Sequence, residues 1–161
     1  MKQISYRGGI VRFQIPDGWV EEYDESGGGT FYEDRAGTGT LRLNVITAKK
    51  PADAPDPQSA LVAFMKGGNR PADTTLRILQ NGNVLSRYKK SAVENGDELI
   101  VHYWEIGNVV DPLHARLALF SFAVLASQSA SPDTLRDVAI LEQELAAAEF
   151  FEGLGDLPPQ H

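Results

Sequence analysis

Between Leu76 and Leu125 the apolar and polar positions fall into four runs: Leu76–Gln80, Val84–Glu94, Leu99–Ile106 and Ala115–Leu125. Asn81-Gly82 and Asn95-Gly96 separate the first three. Asn-Gly is the strongest short-range hairpin signal, because both residues tolerate positive φ. The pattern predicts an antiparallel meander at the centre of the molecule. Ahead of it, Val11, Phe13 and Ile15 alternate with Arg12 and Gln14, the period of a strand with one buried face. Pro16-Asp17-Gly18 makes a turn, since proline presets φ and glycine closes the reversal. Strands are then expected at Trp19–Tyr23, Thr30–Glu33 and Thr40–Thr47. The last puts Leu41, Leu43 and Val45 on one face and Arg42 and Asn44 on the other.

Two segments carry the helical period. Lys49–Pro57 holds three prolines and two aspartates and reads as a linker. Ser59–Lys66 follows as a helix, with Asp56 as N-cap, Pro57 at the first turn and Gly67-Gly68 at the stop. A longer helix is capped by Ser131 and opened by Pro132, with Asp133 and Asp137 near its positive end. Leu135, Val138, Leu141, Leu145 and Ala148 trace its apolar stripe, Phe150-Phe151 pin its end and Gly153 stops it. The expected order is four strands, helix, four strands, helix, in one domain spanning residues 1–161. Its ordered core is about 8–152, with a frayed tail at 153–161.

Ala115–Leu125 is apolar on both parities, the mark of a strand covered on both faces. The fold class is therefore α+β: a twisted antiparallel sheet with helices on both faces, an α/β/α sandwich. Taking Gly107–Pro112 as the turn sets Glu105 opposite Arg116, Trp104 opposite Leu117 and His102 opposite Leu119.

Charge narrows the function. The formal net charge is -7, with 15 basic residues scattered among 22 acidic ones, which argues against nucleic acid. Lys89-Lys90, a tight basic pair in an expected strand, reads as solvated edge charge that discourages edge-to-edge pairing. There is no cysteine, so disulfides and thiolate chemistry are excluded. Met1–Arg7 shows no apolar signal segment, and no lipidation motif or membrane-length apolar run occurs. A soluble cytoplasmic protein without membrane insertion is expected.

The run Phe13-Gln14-Ile15-Pro16-Asp17-Gly18-Trp19 resembles the opening of proteins with the PsbP-like fold. That superfamily includes the photosystem II extrinsic protein, a Ran-binding import factor and small bacterial proteins of unassigned role. The resemblance implies an antiparallel sheet between helices that ends in a long C-terminal helix. As element order it covers Ile10 to Phe151; as a motif it covers only seven residues. The motif carries no chemistry, so it transfers no catalytic residue. Members of this group look like binding modules, which favours binding over catalysis.

Candidate sites are few. His102 and His114 stand apart in the expected register, without HxH or HExxH spacing, so neither a metal nor another cofactor is expected. Ser121 lies mid-strand between Phe120 and Phe122 and reads as buried; no G-x-S-x-G occurs. Gly27-Gly28-Gly29 and Gly37-Thr38-Gly39 join strand to strand and read as hairpin loops rather than phosphate cradles. A partner surface is placed at Tyr88, Tyr103, Trp104, Glu105, His114 and Arg116, since aromatics with Arg are enriched in interfaces. Trp104 reads equally as core beneath the last helix.

The function expected is a non-catalytic soluble protein-binding module, such as a bacterial secretion chaperone or immunity-type inhibitor. The alternative is an enzyme or small-ligand binder with a sheet–helix pocket, for which Glu22, Glu33, His102 and Arg116 are the available groups. A homodimer through a sheet edge or apolar patch is a third reading.

Overall fold

The computed structural model describes residues 1–152. Strands β1 (Lys2–Tyr6), β2 (Val11–Ile15), β3 (Trp19–Tyr23), β4 (Gly29–Glu33) and β5 (Thr40–Lys49) precede helix α1 (Pro57–Lys66). Strands β6 (Thr75–Ile78), β7 (Val84–Glu94), β8 (Asp97–Asp111) and β9 (His114–Leu125) follow. A 3-10 turn at Ala126–Gln128, helix α2 (Pro132–Ala146) and the two-residue β10 (Glu149–Phe150) complete the described chain. All strand pairs are antiparallel. They form two sheets, ordered β1-β2-β10 and β3-β4-β5-β9-β8-β7-β6.

The local signals act as their chemistry dictates. Asp56 accepts from the Ser59 amide at 2.8 Å, and Ser131 accepts from the Thr134 amide at 3.2 Å, so both helices start at side-chain caps followed by proline. Asn95 and Gly96 both have positive φ, 53° and 83°, and close the β7–β8 hairpin tightly. At the other Asn-Gly pair only Gly82 is left-handed, and the loop runs from Leu79 to Asn83.

The expected order and the single sandwich need correction. Five strands precede α1, and β10 follows α2. β1 escapes a sequence reading because its alternation rests on Ile4 and Tyr6 alone. β2 leaves the main sheet to pair with β1 and β10, so the meander does not contain it. α2 stops at Ala146 rather than near Gly153, which, with the tail and His161, lies outside the described residues. Side chains from the meander provide its cap: Asn83 donates to the carbonyls of Ala146 and Ala148 at 3.2 and 2.7 Å.

Nor does a helix layer cover each face evenly. On one face Phe31, Leu41, Leu43, Leu85, Trp104, Ile106, Phe120 and Phe122 pack against Val11, Phe13 and Ile15 of the small sheet and Leu141 and Leu145 of α2. Phe13 meets Phe31 and Phe120 edge-on at 5.5 and 5.0 Å. Trp19 stacks on Phe122 at 6.0 Å. On the other face α1 places Leu61 and Met65 against Val84, Ala115 and Leu117. Gly107 permits this approach, because a Cβ there would stand 2.8 Å from Leu61 and 2.9 Å from Met65. Beyond Leu117 that face opens: Leu119, Ser121 and Ala123 are half-buried and Leu125 is exposed.

The register also differs. β8 does not turn at Gly107 but continues to Asp111, after which Pro112-Leu113 turns the chain and the Asp111 carboxylate accepts from the Leu113 amide at 2.7 Å. Glu105 therefore faces Leu119, His102 faces Phe122 and Arg116 faces Asn108. A three-residue slip inverts the face relation of the two strands and separates Glu105 from Arg116.

Candidate functional site

Directly opposed residues of antiparallel strands point to the same face. The observed register thus builds one row across the uncovered face: Glu22, Thr30, Arg42, Ser121, Tyr103 and Tyr88, each from a different strand. Asn44, Leu119, Glu105 and Ser86 form the neighbouring row. Above their middle lies a groove of about 680 Å³, lined by Thr30, Arg42, Ser121 and Tyr103 of the first row, by Asn44, Leu119 and Glu105 of the second, and by the glycine loop at Gly27, Gly28 and Gly29. Gly27 and Gly28 have φ of 111° and 98°, and the Tyr6 hydroxyl accepts from the Gly28 amide at 2.8 Å, so β1 fixes one wall.

The other wall is a polar knot. Glu105 Oε1 accepts from Arg70 Nε at 2.6 Å, and its Oε2 accepts from the Tyr88 hydroxyl at 3.0 Å. Tyr88 and Tyr103 stack with centroids 4.7 Å apart. Burial, followed by the adjacent Glu105 charge, holds the Tyr88 phenol well above its ordinary pKa, so it stays a neutral donor. Arg70 also donates to the Gly67 carbonyl, which ties the α1–β6 connection to the wall.

Of the residues expected to share a site, the structure brings Tyr88, Tyr103 and Glu105 together and separates the other three. Trp104 is fully buried on the covered face, where the Arg87 guanidinium sits 4.3 Å above its ring. Arg116 is buried on that face too and donates to the Phe151 carbonyl at 3.4 Å. His114 lies at the β8–β9 turn, 2.9 Å from Asp111, beside an apolar recess of about 290 Å³ under α1.

The alternative set does not assemble either. Glu22 accepts from the Tyr32 hydroxyl at 2.6 Å on the open face, whereas Glu33 is opposite Trp19 and pairs with Arg35 at 3.1 Å. His102 lies under α2, where Arg87 Nη2 donates to its Nδ1 at 2.9 Å and Arg87 Nε reaches Glu142 at 2.5 Å. Burial, then the Arg87 and Lys89 charges, push the imidazole down to about 4.

Sequence reasoning missed Arg42, Ser121, Asn44 and Arg70. Ser121 is not buried but lines the groove. Its cross-strand neighbours, Arg42 and Tyr103, are not general bases at neutral pH, so they do not activate it as a nucleophile. The polar parity of β5 was visible as Arg42 and Asn44; only the β5–β9 register sets it beside the aromatic pair. Among the described residues no cluster of three or more His, Asp or Glu could hold a metal, and no helix is long and apolar enough to cross a membrane.

Solved structures share this fold. A protein of Bacteroides thetaiotaomicron matches 98% of the chain at 21% identity and TM-score 0.64, and the chain spans 51% of that protein. LpqN of Mycobacterium tuberculosis, described as involved in cell envelope biogenesis, matches 83% of the chain and 81% of its own length at 17% identity and TM-score 0.56. The cyanobacterial PsbP of Synechocystis is also matched, over 93% of the chain, at 15% identity and TM-score 0.39. No family model and no curated protein sequence matches. The likeness is one of fold.

Proposed function

We propose that this chain is a non-catalytic protein-binding module whose contact surface is the open face of the seven-stranded sheet. The carrying observation is the central strand β9. It is apolar on both parities, yet on its second face the α1 cluster buries only Ala115 and Leu117, with Leu119 half-buried at its margin. A sheet that presents apolar and aromatic groups on a face without a helix above it is a surface suited to a partner. Tyr88, Tyr103 and Arg42 are the residue types that dominate interfaces, and the Glu105 knot fixes two of them in advance. Such a role requires no cofactor, and cytoplasmic residence belongs to the same proposal.

The test is affinity capture from native extract at low salt, with wild type compared with Ser121→Arg. Ser121 sits in the middle of the row, so a long cation there blocks close approach without entering the core. A partner captured by wild type and lost by Ser121→Arg is expected. Failure to capture any protein, or equal capture by both, refutes the proposal. The groove volume of about 680 Å³ favours a second reading, a small polar ligand held by Arg42, Asn44 and Tyr103. Saturable shifts of those resonances by a small molecule, in the absence of a protein partner, would favour it.

A further inference from the structure

β7 is longer than its outer neighbour. β6 pairs only with Val84–Arg87, so Tyr88–Glu94 pairs with β8 on one side and with no strand on the other among the described residues. From Lys89 to Glu94 every residue is exposed. The ladder to β8 is unbroken over this stretch, without bulge, proline or glycine, and the Asn95-Gly96 turn locks its end. Backbone N–H and C=O groups along such an edge are a template for another strand.

The edge differs in charge from the rest of the molecule. Six of the 15 basic residues lie between Lys66 and Lys90, against one acidic residue, Asp73, in a chain of net charge -7. Glu105 neutralises Arg70, and Glu142 neutralises Arg87. Lys66, Arg77, Lys89 and Lys90 form no ion pair among the described residues. Glu94, Asp97 and Glu98 make only the hairpin tip acidic. Successive strand residues point to opposite faces, so Lys89 and Lys90 flank the open edge from both sides. Lys90 shares the face of Tyr88, with its ammonium 5.6 Å from the ring, and Lys89 is opposite His102.

We infer that the open half of β7 binds an extended acidic segment of a partner protein by strand addition, with two adjacent acidic residues of that segment meeting Lys89 and Lys90. The backbone edge supplies the hydrogen bonds, and the two lysines select for charge and reject basic strands. The edge borders the open sheet face but uses a different surface: Ser121 on β9 and Arg42 on β5 lie two and three strands in from β7, whereas strand addition occurs at its outer side.

The experiment is fluorescence anisotropy of the full chain with a labelled peptide that alternates Thr and Val around a central Glu-Glu pair. Saturable binding that weakens with salt is expected. Roughly tenfold loss is expected for the Lys89→Glu/Lys90→Glu variant and for the same peptide N-methylated at alternate amides, which keeps its charge but cannot pair. Ser121→Arg leaves the peptide affinity unchanged, so failure at the edge and failure of the open-face proposal are read separately. Absence of saturable binding, or equal affinity for the N-methylated peptide, overturns the inference. Self-association of the Lys89→Thr/Lys90→Thr variant without peptide binding overturns it too, since the lysines then only guard the edge. Concentration-dependent polymers of wild type that the peptide disperses would make a second copy the occupant and likewise overturn it.

Discussion

Replacing Glu105 by Gln removes the charge on which the wall of the groove is built. Its carboxylate accepts from Arg70 at 2.6 Å and from Tyr88 at 3.0 Å, and the Arg70 and Glu105 side chains are only 16% and 12% exposed. A unit-charge pair near 4 Å is worth about 4 kcal/mol at an effective dielectric of ~20 and about 1 kcal/mol in water. Exposed pairs measure about 0.2–1 kcal/mol, while breaking buried ones costs about 3–5 kcal/mol. This pair lies between, so a coupling of about 2 kcal/mol is expected. Urea unfolding of Glu105→Gln, Arg70→Met and the double variant gives that coupling directly. Glu105→Gln alone costs more than the double variant, because it strands a half-buried guanidinium. Tyr88 provides a second readout. In Glu105→Gln its phenol titrates closer to the ordinary range but stays raised, since burial is the larger cause. A coupling below about 0.5 kcal/mol would show that the knot does not preorganise the site and would refute the reasoning.

Three further outcomes follow from the packing. His102 is held neutral with a pKa of about 4, below its unfolded value, so its contribution is full above about pH 6.5 and is lost as pH falls toward 4. The shift corresponds to about 3 kcal/mol at most, which solvent screening reduces to about 1–2 kcal/mol; His102→Gln should flatten the stability–pH profile across that window, and an unchanged slope would contradict it. Asn83→Ala leaves the Ala148 carbonyl without its side-chain donor and the Ala146 carbonyl with Asn81 alone, and should cost about 1–3 kcal/mol in chemical unfolding, with amide exchange rising at the end of α2. Gly107→Ala drives a methyl against Leu61 and Met65 and should cost about 1–3 kcal/mol, with lost exchange protection centred on α1; a neutral effect would mean α1 does not rest there.

Whatever depended on a few neighbouring residues could be read from the sequence. Asp56-Pro57 and Ser131-Pro132 start helices, Pro16-Asp17-Gly18 reverses the chain and Asn95-Gly96 closes a hairpin, each through chemistry confined to a few bonds. The register of β8 on β9 was not legible. Gly107 looks like a turn residue, but its missing side chain serves the approach of α1, and Pro112-Leu113 makes the turn. That single displacement decides which face Glu105 and Arg116 occupy. β10 and the departure of β2 from the main sheet rest on pairings between residues at opposite ends of the chain. The site was half legible. Tyr88, Tyr103 and Glu105 lie close in sequence on one hairpin, whereas Arg42 and Ser121 join them only through the five-strand register.

The chain lacks cysteine, so an introduced thiol is a unique probe of which side of β9 is uncovered. Ser121→Cys faces the groove, and Ala118→Cys is fully buried on the covered face. In the folded protein the Ser121→Cys thiol is predicted to react with a maleimide at nearly the rate of a free thiol and to become protected when the partner binds, while the Ala118→Cys thiol reacts only as the chain unfolds. Equal protection of both thiols in the free protein would mean that the sheet has no open face, and the binding role assigned to it would fall.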